Sequence, residues 1–512
     1  MSRTLKKLMG LSPCHLMIGL TVIGVLITMQ VNYIQHGWIN NDSVLYFESA
    51  RLFAAGEWQQ GFKLFPWPLY SGLIALVHSI TGWSLHFSAQ CLNVAFFGIA
   101  SYAFLQLIRL SGGDNLTLVA GALLLYSAQY ITGDALQMLL RDQGFWAFFL
   151  TGIVFFVRFY RSLSWQDAIG WQVAMIIALL FRVEGITYLA ALPLVLLTKP
   201  ELNLKARLQC VFRAHSLNLA LASSIGMYIA VTGMPVSQLG RLKEIFTSDI
   251  ILEVTKKFLR KTDIMADKVL GNFLDEFAIE GLLLTFLFIM IAKTISTTGW
   301  LAICLAAFAA KWRDQVFAAD AKRILFTIAL IAAINMLLII LKVFVLSGRY
   351  VIPLALIVMV LAAFGLAKLW HERANLSKKW CWLPVAITIL LSLGILKNVL
   401  PKADGYNYQQ EAVSWLNTRT SGEQKIFYDS SRVRYYAGEP FVGTWKDIWQ
   451  KVTEATESGS IHEHEFLLIS LERDETWKEA YIAEHLSSYK EVYRASNPKG
   501  KKFLVVYQRQ AS

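Results

Sequence analysis

Apolar runs recur along the first 400 residues, with short polar segments between them. A run of about 18 or more apolar residues marks a transmembrane helix. The first runs from about Cys14 to Tyr33, behind Arg3, Lys6 and Lys7. It is too long for a signal-peptide core and no small-residue cleavage site follows, so it is expected to remain as an uncleaved first span. A polar, aromatic loop then extends from Gln35 to about Gly82 and closes in PWPLYSGLIALVHSITG. That piece is short for a span and is expected to lie as a helix at the outer interface. Further spans are predicted near 88–108, 116–132, 143–160, 166–182, 186–198, 216–233, 324–345, 350–370 and 380–398. A polar stretch of 44 residues, 234–277, divides them.

Segment 278–310 has 33 residues, with Lys293 and STTG in its middle, a length for one crossing or two. Loop charge decides. Basic clusters stand at 199–214 (Lys199, Lys205, Arg207, Arg213), 311–323 (Lys311, Arg313, Lys322, Arg323) and 368–379 (Lys368, Arg373, Lys378, Lys379). All three fall on the inner side only if 278–310 makes one net crossing, as a broken or partly interfacial helix. Lys293 is then expected at the helix break or the inner interface. Eleven spans result, with the N-terminus inside and residues 401–512 outside.

After residue 400 the periodicity changes. NYQQEAVSWLNTRT has helical spacing, KIFYD and FLLISL read as strands, TWKEAYIAEHL as a helix and FLVVYQR as a closing strand. The fold class is therefore an α-helical polytopic membrane protein with a small C-terminal α/β domain. Residues 1–400 form the transmembrane module, with outer loops 35–87 and 234–277, and residues 401–512 a soluble extracytoplasmic domain. The tail has no Gly-rich phosphate loop and no nucleophile elbow. His462 and His464 alternate with acids in IHEHE, which reads as a solvated loop.

Composition agrees. Charged residues are 16% and hydrophobic ones 55% of the chain, against about 25% charged in soluble domains. The net charge is +12, yet residues 401–512 carry 15 Lys/Arg against 16 Asp/Glu. The basic excess therefore belongs to the membrane part and its anionic lipid surface, not to a nucleic-acid partner. The five cysteines (Cys14, Cys91, Cys210, Cys304, Cys381) lie in or beside apolar runs. None pairs as a disulfide staple or a metal motif.

Ionisable residues gather on the predicted outer side. Asp42 stands just beyond the first span, Arg141 and Asp142 in ITGDALQMLLRDQGFW, Arg182 and Glu184 in FRVEG, and Arg349 and Tyr350 in LSGRYVIP. Charges at membrane depth are costly, so they pair, face water or act on a substrate. Bland readings stand beside the functional ones. Asp42 as a helix cap, Asp142 paired with Arg141, Arg182 and Glu184 as a structural ion pair, and Arg349 as an interface snorkeller all fit the residues. Asp134 is read as ordinary surface. Trp58 and Trp67 are the only tryptophans near Asp42 considered for sugar stacking.

The ordered set resembles the polyprenyl-phosphate-sugar-dependent glycosyltransferases of the GT-C superfamily, which include protein O-mannosyltransferases and aminoarabinose transferases. The resemblance covers roughly residues 15–400. It rests on Asp42, Tyr46, Ala50 and Gly56 after the first span, then FPWPLY (Phe65 to Tyr70) closing in Gly82. Arg141-Asp142, Arg182-Val183-Glu184-Gly185, and Arg349-Tyr350 with Pro353 complete it. The resemblance implies a lipid-linked sugar donor of the undecaprenyl or dolichyl phosphate type and a glycan, lipid or protein acceptor. Asp42 would serve as general base, with Asp142 as the second catalytic acid. Arg349, Tyr350, Arg141, Arg182, Glu184, Tyr46, Arg241 and Lys243 would hold substrate. Ser43 follows Asp42 where many relatives have a second acid, and no metal or other cofactor is expected. Two rival classes remain, a transporter or flippase of lipid-linked substrates and a surface-polysaccharide polymerase or ligase. A transporter needs polar residues at span centres, and spans 88–108 and 324–345 carry almost none.

Overall fold

The computed structural model describes residues 10–233, 235, 249–271, 273–311, 317–375, 377, 380–401, 407–420, 424–441 and 448–510. They form two compact units: Met1–Val31, Ala89–Leu136 and Arg141–Val399 in one, Asn32–Ser88, Gln137–Leu140 and Leu400–Ser512 in the other.

The first unit is helical, and all eleven expected spans carry helices. Among the described residues, seven helices are long and apolar enough to cross a membrane, or eight with the bent pair Asn115–Ser127 and Gln129–Met138 taken as one span. Trp165–Phe181, Gly185–Thr198 and Leu383–Val399 are shorter apolar helices. Segment 278–310 is two helices, Ala278–Thr298 and Trp300–Lys311. The break falls at Gly299, whose φ of +88° suits a residue without a side chain. Lys293 is not at that break; it lies exposed within the first of the two helices. Lys205, Arg207 and Arg213, expected in a loop, belong to the helix Leu204–Thr232. Asn203 caps that helix by accepting from the Ala206 amide at 2.9 Å, and Arg207 donates to the carbonyls of Leu202 and Leu197.

Two packing features set up the ionisable residues. Helix Asp142–Ser162 folds back on Trp165–Phe181 through Leu163 and Ser164, and the Ser164 hydroxyl accepts from the Asp167 amide. The pair packs closely because small residues face large ones: a Cβ at Gly144 would overlap the Phe181 ring. The start of one helix thereby reaches the end of the other. In the bent pair, the axis turns by 49° and intrahelical bonds are lost. Apolar surroundings cannot supply replacements, so side chains do. Thr132 donates to the Leu125 carbonyl, Asn93 to that of Leu136, Gln143 to that of Ala135, and Asn398 to that of Tyr126, all at 2.8–3.0 Å.

The second unit contains a four-stranded sheet ordered β1-β2-β4-β3: β1 Ile426–Tyr428, β2 Phe466–Glu472, β3 Tyr489–Ser496 and β4 Lys502–Arg509. β1 and β2 are parallel and the other pairs antiparallel. FLLISL reads as an unbroken apolar run because both faces of β2 are covered. Phe466 and Leu468 pack under helix Asn407–Asn417, while Leu467, Ile469 and Leu471 pack with Val452 and Ile482 on the other side. β3 escapes the sequence pattern because it is an edge strand whose Lys490, Glu491 and Arg494 stay in solvent.

Asp429, at the end of β1, is fully buried; it accepts the Ser470 amide at 2.5 Å and the Ser470 hydroxyl at 3.3 Å. Burial pushes its carboxyl up to about 6, against the pull of those two bonds and of Lys451. The folded state thus holds a proton that the unfolded chain releases near its ordinary value of 3.8. Its contribution is fully present below about pH 4 and is lost as pH rises to 6, a fall of about 3 kcal/mol. Thermal unfolding of the full chain across pH 4–7 should show this loss, and Asp429→Asn should flatten it. Parallel pH curves for the two proteins would refute the assignment.

Candidate functional site

In the helical unit, four helix ends bring together residues far apart in sequence. Asp142 opens helix Asp142–Ser162, Arg182 caps the end of Trp165–Phe181 in extended conformation, and Glu184 precedes Gly185–Ala191. Arg349 and Tyr350 occupy the first turn of Gly348–His371. The Arg182 guanidinium donates from Nη1 to Asp142 Oδ1. Its Nε and Nη2 donate to the two oxygens of Glu184 at 3.2 and 3.0 Å, a two-pronged fork matched to a carboxylate. Its planar face lies 4.5 Å from the centre of the Tyr350 ring. Arg349 Nη1 stands 4.0 Å from the other Asp142 oxygen, an ion-pair distance beyond a direct hydrogen bond. Arg141 is a further charge acting on Glu184.

Burial separates the roles. The side chains of Asp142 and Arg182 are 2% and 6% exposed, that of Arg349 23%. A buried ion earns its place only when paired and hydrogen-bonded. Arg182 meets that requirement through two carboxylates and a ring, which makes it the organising cation of the cluster. Asp142 therefore pairs with Arg182, forty positions away, and the expected Arg182–Glu184 pair is present but shared. Arg349 and Arg141 add positive charge around the two carboxylates that Arg182 holds, and positive charge suits an anion. Arg349 lies on the first turn of a helix, where backbone N–H groups and the helix dipole also favour negative charge.

In the second unit, Asp42 lies in the first turn of helix Asn41–Ala54 and is half-buried. It is not the cap: Asn40 is, accepting from the Asp42 amide at 3.0 Å. The following residues lock the turn. Ser43 donates to the Met138 carbonyl at 2.7 Å, and Tyr46 packs edge-on against Phe65 and Tyr70 at 5.0 and 5.5 Å. Ala50 is fully buried and Gly56 has φ +81°, so two of the spaced small residues have plain steric reasons. Trp67 is buried and offers no open face for stacking, whereas Trp58 is exposed and stacks on Phe53. Asp134, read as surface, is half-buried in the bent segment Gln129–Ala135.

Arg241 and Lys243 lie outside the described residues. Sequence reasoning passed over several polar groups in and around the cluster. Asn335 donates to the Glu184 backbone carbonyl at 3.5 Å, and Tyr130 packs against Gly348, beside Arg349. Asn335 and Asn93 sit within the two spans read as nearly free of polar residues. An isolated amide in an apolar run was the available signal.

No protein-family model and no curated protein sequence matches the chain. Solved structures do. The crystal structure of ArnT from Cupriavidus metallidurans bound to undecaprenyl phosphate aligns with 96% of this chain and 97% of its own, at 12% identity and a TM-score of 0.53. The archaeal oligosaccharyltransferase AglB from Archaeoglobus fulgidus, in complex with an inhibitory peptide and a dolichol-phosphate, aligns with 95% of this chain and 74% of its own, at 11% identity and a TM-score of 0.51. The fold is GT-C. The likeness extends over nearly the whole chain.

Proposed function

We propose that this protein is an integral membrane glycosyltransferase that moves a sugar from a polyprenyl-phosphate donor to an extracytoplasmic glycan, lipid A or lipopolysaccharide, or protein acceptor. The observation that carries the proposal is the arginine-rich cluster of Arg349, Arg182 and Asp142 on a GT-C fold. The neighbours bound to undecaprenyl phosphate and dolichol-phosphate support the choice of donor. The protein would sit in the cytoplasmic membrane, its N-terminus inside and its C-terminal domain outside.

In this reading Asp42 accepts the proton of the acceptor hydroxyl as that oxygen attacks the anomeric carbon. The new C–O bond forms as the bond to phosphate breaks, with inversion of configuration. Negative charge grows on the departing polyprenyl phosphate and requires a fixed cation. Arg349 supplies it, because its guanidinium fork matches phosphate and it is the more exposed of the paired arginines. Arg182 and Glu184 hold Asp142 and Tyr350 in place, and Asp142 in turn orients Arg349. Arg141 adds positive charge beside them. No metal is assigned a step.

The test is binding of undecaprenyl phosphate to the purified full-length protein in detergent, followed by native mass spectrometry. A hydrogen-bonded charge is worth about 1.5–3 kcal/mol, so Arg349→Ala is expected to weaken binding by about 10–100-fold, and Arg349→Lys by less. Equal binding by Arg349→Ala and wild type would refute the phosphate assignment.

A further inference from the structure

The C-terminal sheet ends β1 in a short helix, Ser431–Tyr436, and this helix is firmly anchored to its own domain. Asp429 ties its start to β2 through Ser470, and Ser430 caps it by accepting from the Arg432 amide. Val433 is fully buried in the sheet's core, and Arg432 donates to Gln409 at 2.8 Å. Tyr435 and Tyr436 follow Val433 and reach into the segment that carries Asp42. The Tyr435 ring stacks on Phe47 with centroids 5.7 Å apart and planes 24° from parallel. His86 stacks on the same Phe47 at 5.8 Å and 19°. The Tyr436 hydroxyl accepts from the Ile39 amide at 3.2 Å, immediately before the Asn40 cap.

We propose that Tyr435 and Tyr436 are positioning residues that hold the Asp42-bearing turn, which gives the C-terminal domain a direct part in aligning the base. Ser43 and Tyr46 fix one side of that turn, through Met138, Phe65 and Tyr70. Further anchors, at Ile39 and Phe47, come from the tyrosine pair, with His86 also stacked on Phe47. A helix turn that loses these anchors can tilt, and a base displaced by about 1 Å can cost up to about 100-fold in rate. The effect on catalysis rests on the glycosyltransferase reading, whereas the contact itself does not.

The experiment uses the full-length protein in detergent, with two readouts on each variant: hydrogen–deuterium exchange over residues 39–54 and steady-state sugar transfer from a polyprenyl-phosphate donor. Tyr435→Ala is expected to raise exchange across this segment and to lower kcat by about 10–100-fold with the donor KM unchanged. Tyr435→Phe, which keeps the stacked ring, should restore both. Tyr436→Phe removes only the oxygen that receives the Ile39 amide and is expected to raise exchange at that amide and lower kcat by about 2–10-fold. Unchanged exchange in Tyr435→Ala and Tyr436→Phe overturns the proposal whatever the transfer rate does. Raised exchange with unchanged kcat overturns the catalytic part of it. A wild-type protein with no transferase activity sinks the functional reading instead, and exchange alone then decides whether the tyrosines hold the turn.

Discussion

If the proposed glycosyltransferase reading holds, replacing Asp42 with Asn is expected to abolish sugar transfer. A positioned general base contributes about 10²–10⁴-fold, and an amide of the same shape cannot take the proton of the attacking hydroxyl. The substitution is well suited to isolating that role. Helix Asn41–Ala54 keeps its cap, which is Asn40, and keeps the packing of Tyr46 and Phe47. The fold loses the benefit of a carboxylate in a first helical turn, about 0.3–1 kcal/mol. Mass spectrometry of cell-envelope glycans and lipid A gives the readout, in a null strain complemented with wild type or Asp42→Asn at matched expression. One sugar mass should be missing from both the null and the variant. If the variant retains it, Asp42 is not the base, and transport or another catalytic acid takes its place.

Arg182→Met should unfold or strongly destabilise the helical unit. The change leaves buried Asp142 and half-buried Glu184 without their shared cation, and removing one partner of a buried pair costs about 3–5 kcal/mol. Thermal unfolding of the purified protein measures the loss. Adding Asp142→Asn to Arg182→Met removes one of the two stranded charges and should recover part of the stability, since neighbouring sites in one network do not act additively. Arg349→Ala should cost much less, because Arg349 is more exposed and stands 4.0 Å from its partner carboxylate. The two arginines thus predict opposite signatures: Arg182 affects folding, Arg349 affects phosphate. A variant Arg182→Met that melts with wild type would overturn that division.

The parts of the molecule legible in sequence share one physical cause. A bilayer demands long apolar helices, so the eleven helical segments stand out before any packing is known. The C-terminal strands β1, β2 and β4 show themselves as runs rich in Ile, Leu, Val and Phe. Helix Asn41–Ala54 lies inside a segment that reads as a loop, with a helix there only as the alternative in which Asp42 is a cap, because its buried face includes Ser43 and Ser49. These serines are buried by donating to backbone carbonyls of Met138 and Gly61, partners that only the folded chain brings near. The six-residue helix Ser431–Tyr436 is too brief for a periodic signal.

The candidate site divides along the same line. Its residue types were readable one by one, since Asp42, Asp142, Arg182, Glu184 and Arg349 are charges next to apolar runs. Their partners were not. Nothing local in sequence pairs Asp142 with Arg182; the pairing follows from Gly144, which admits the Phe181 ring and lets two helix ends meet. In the same way, only the folded second unit links Ile39 and Phe47 to Tyr436 and Tyr435, about 400 positions along the chain. By itself the sequence determined the membrane class, the helical segments and the list of chemically capable side chains, because apolar length and isolated charge are local properties. The tertiary structure alone decided which charges neutralise one another and which turn is held by which domain, because an ion pair or a ring stack depends on distance in space and carries no mark in a linear run of residues.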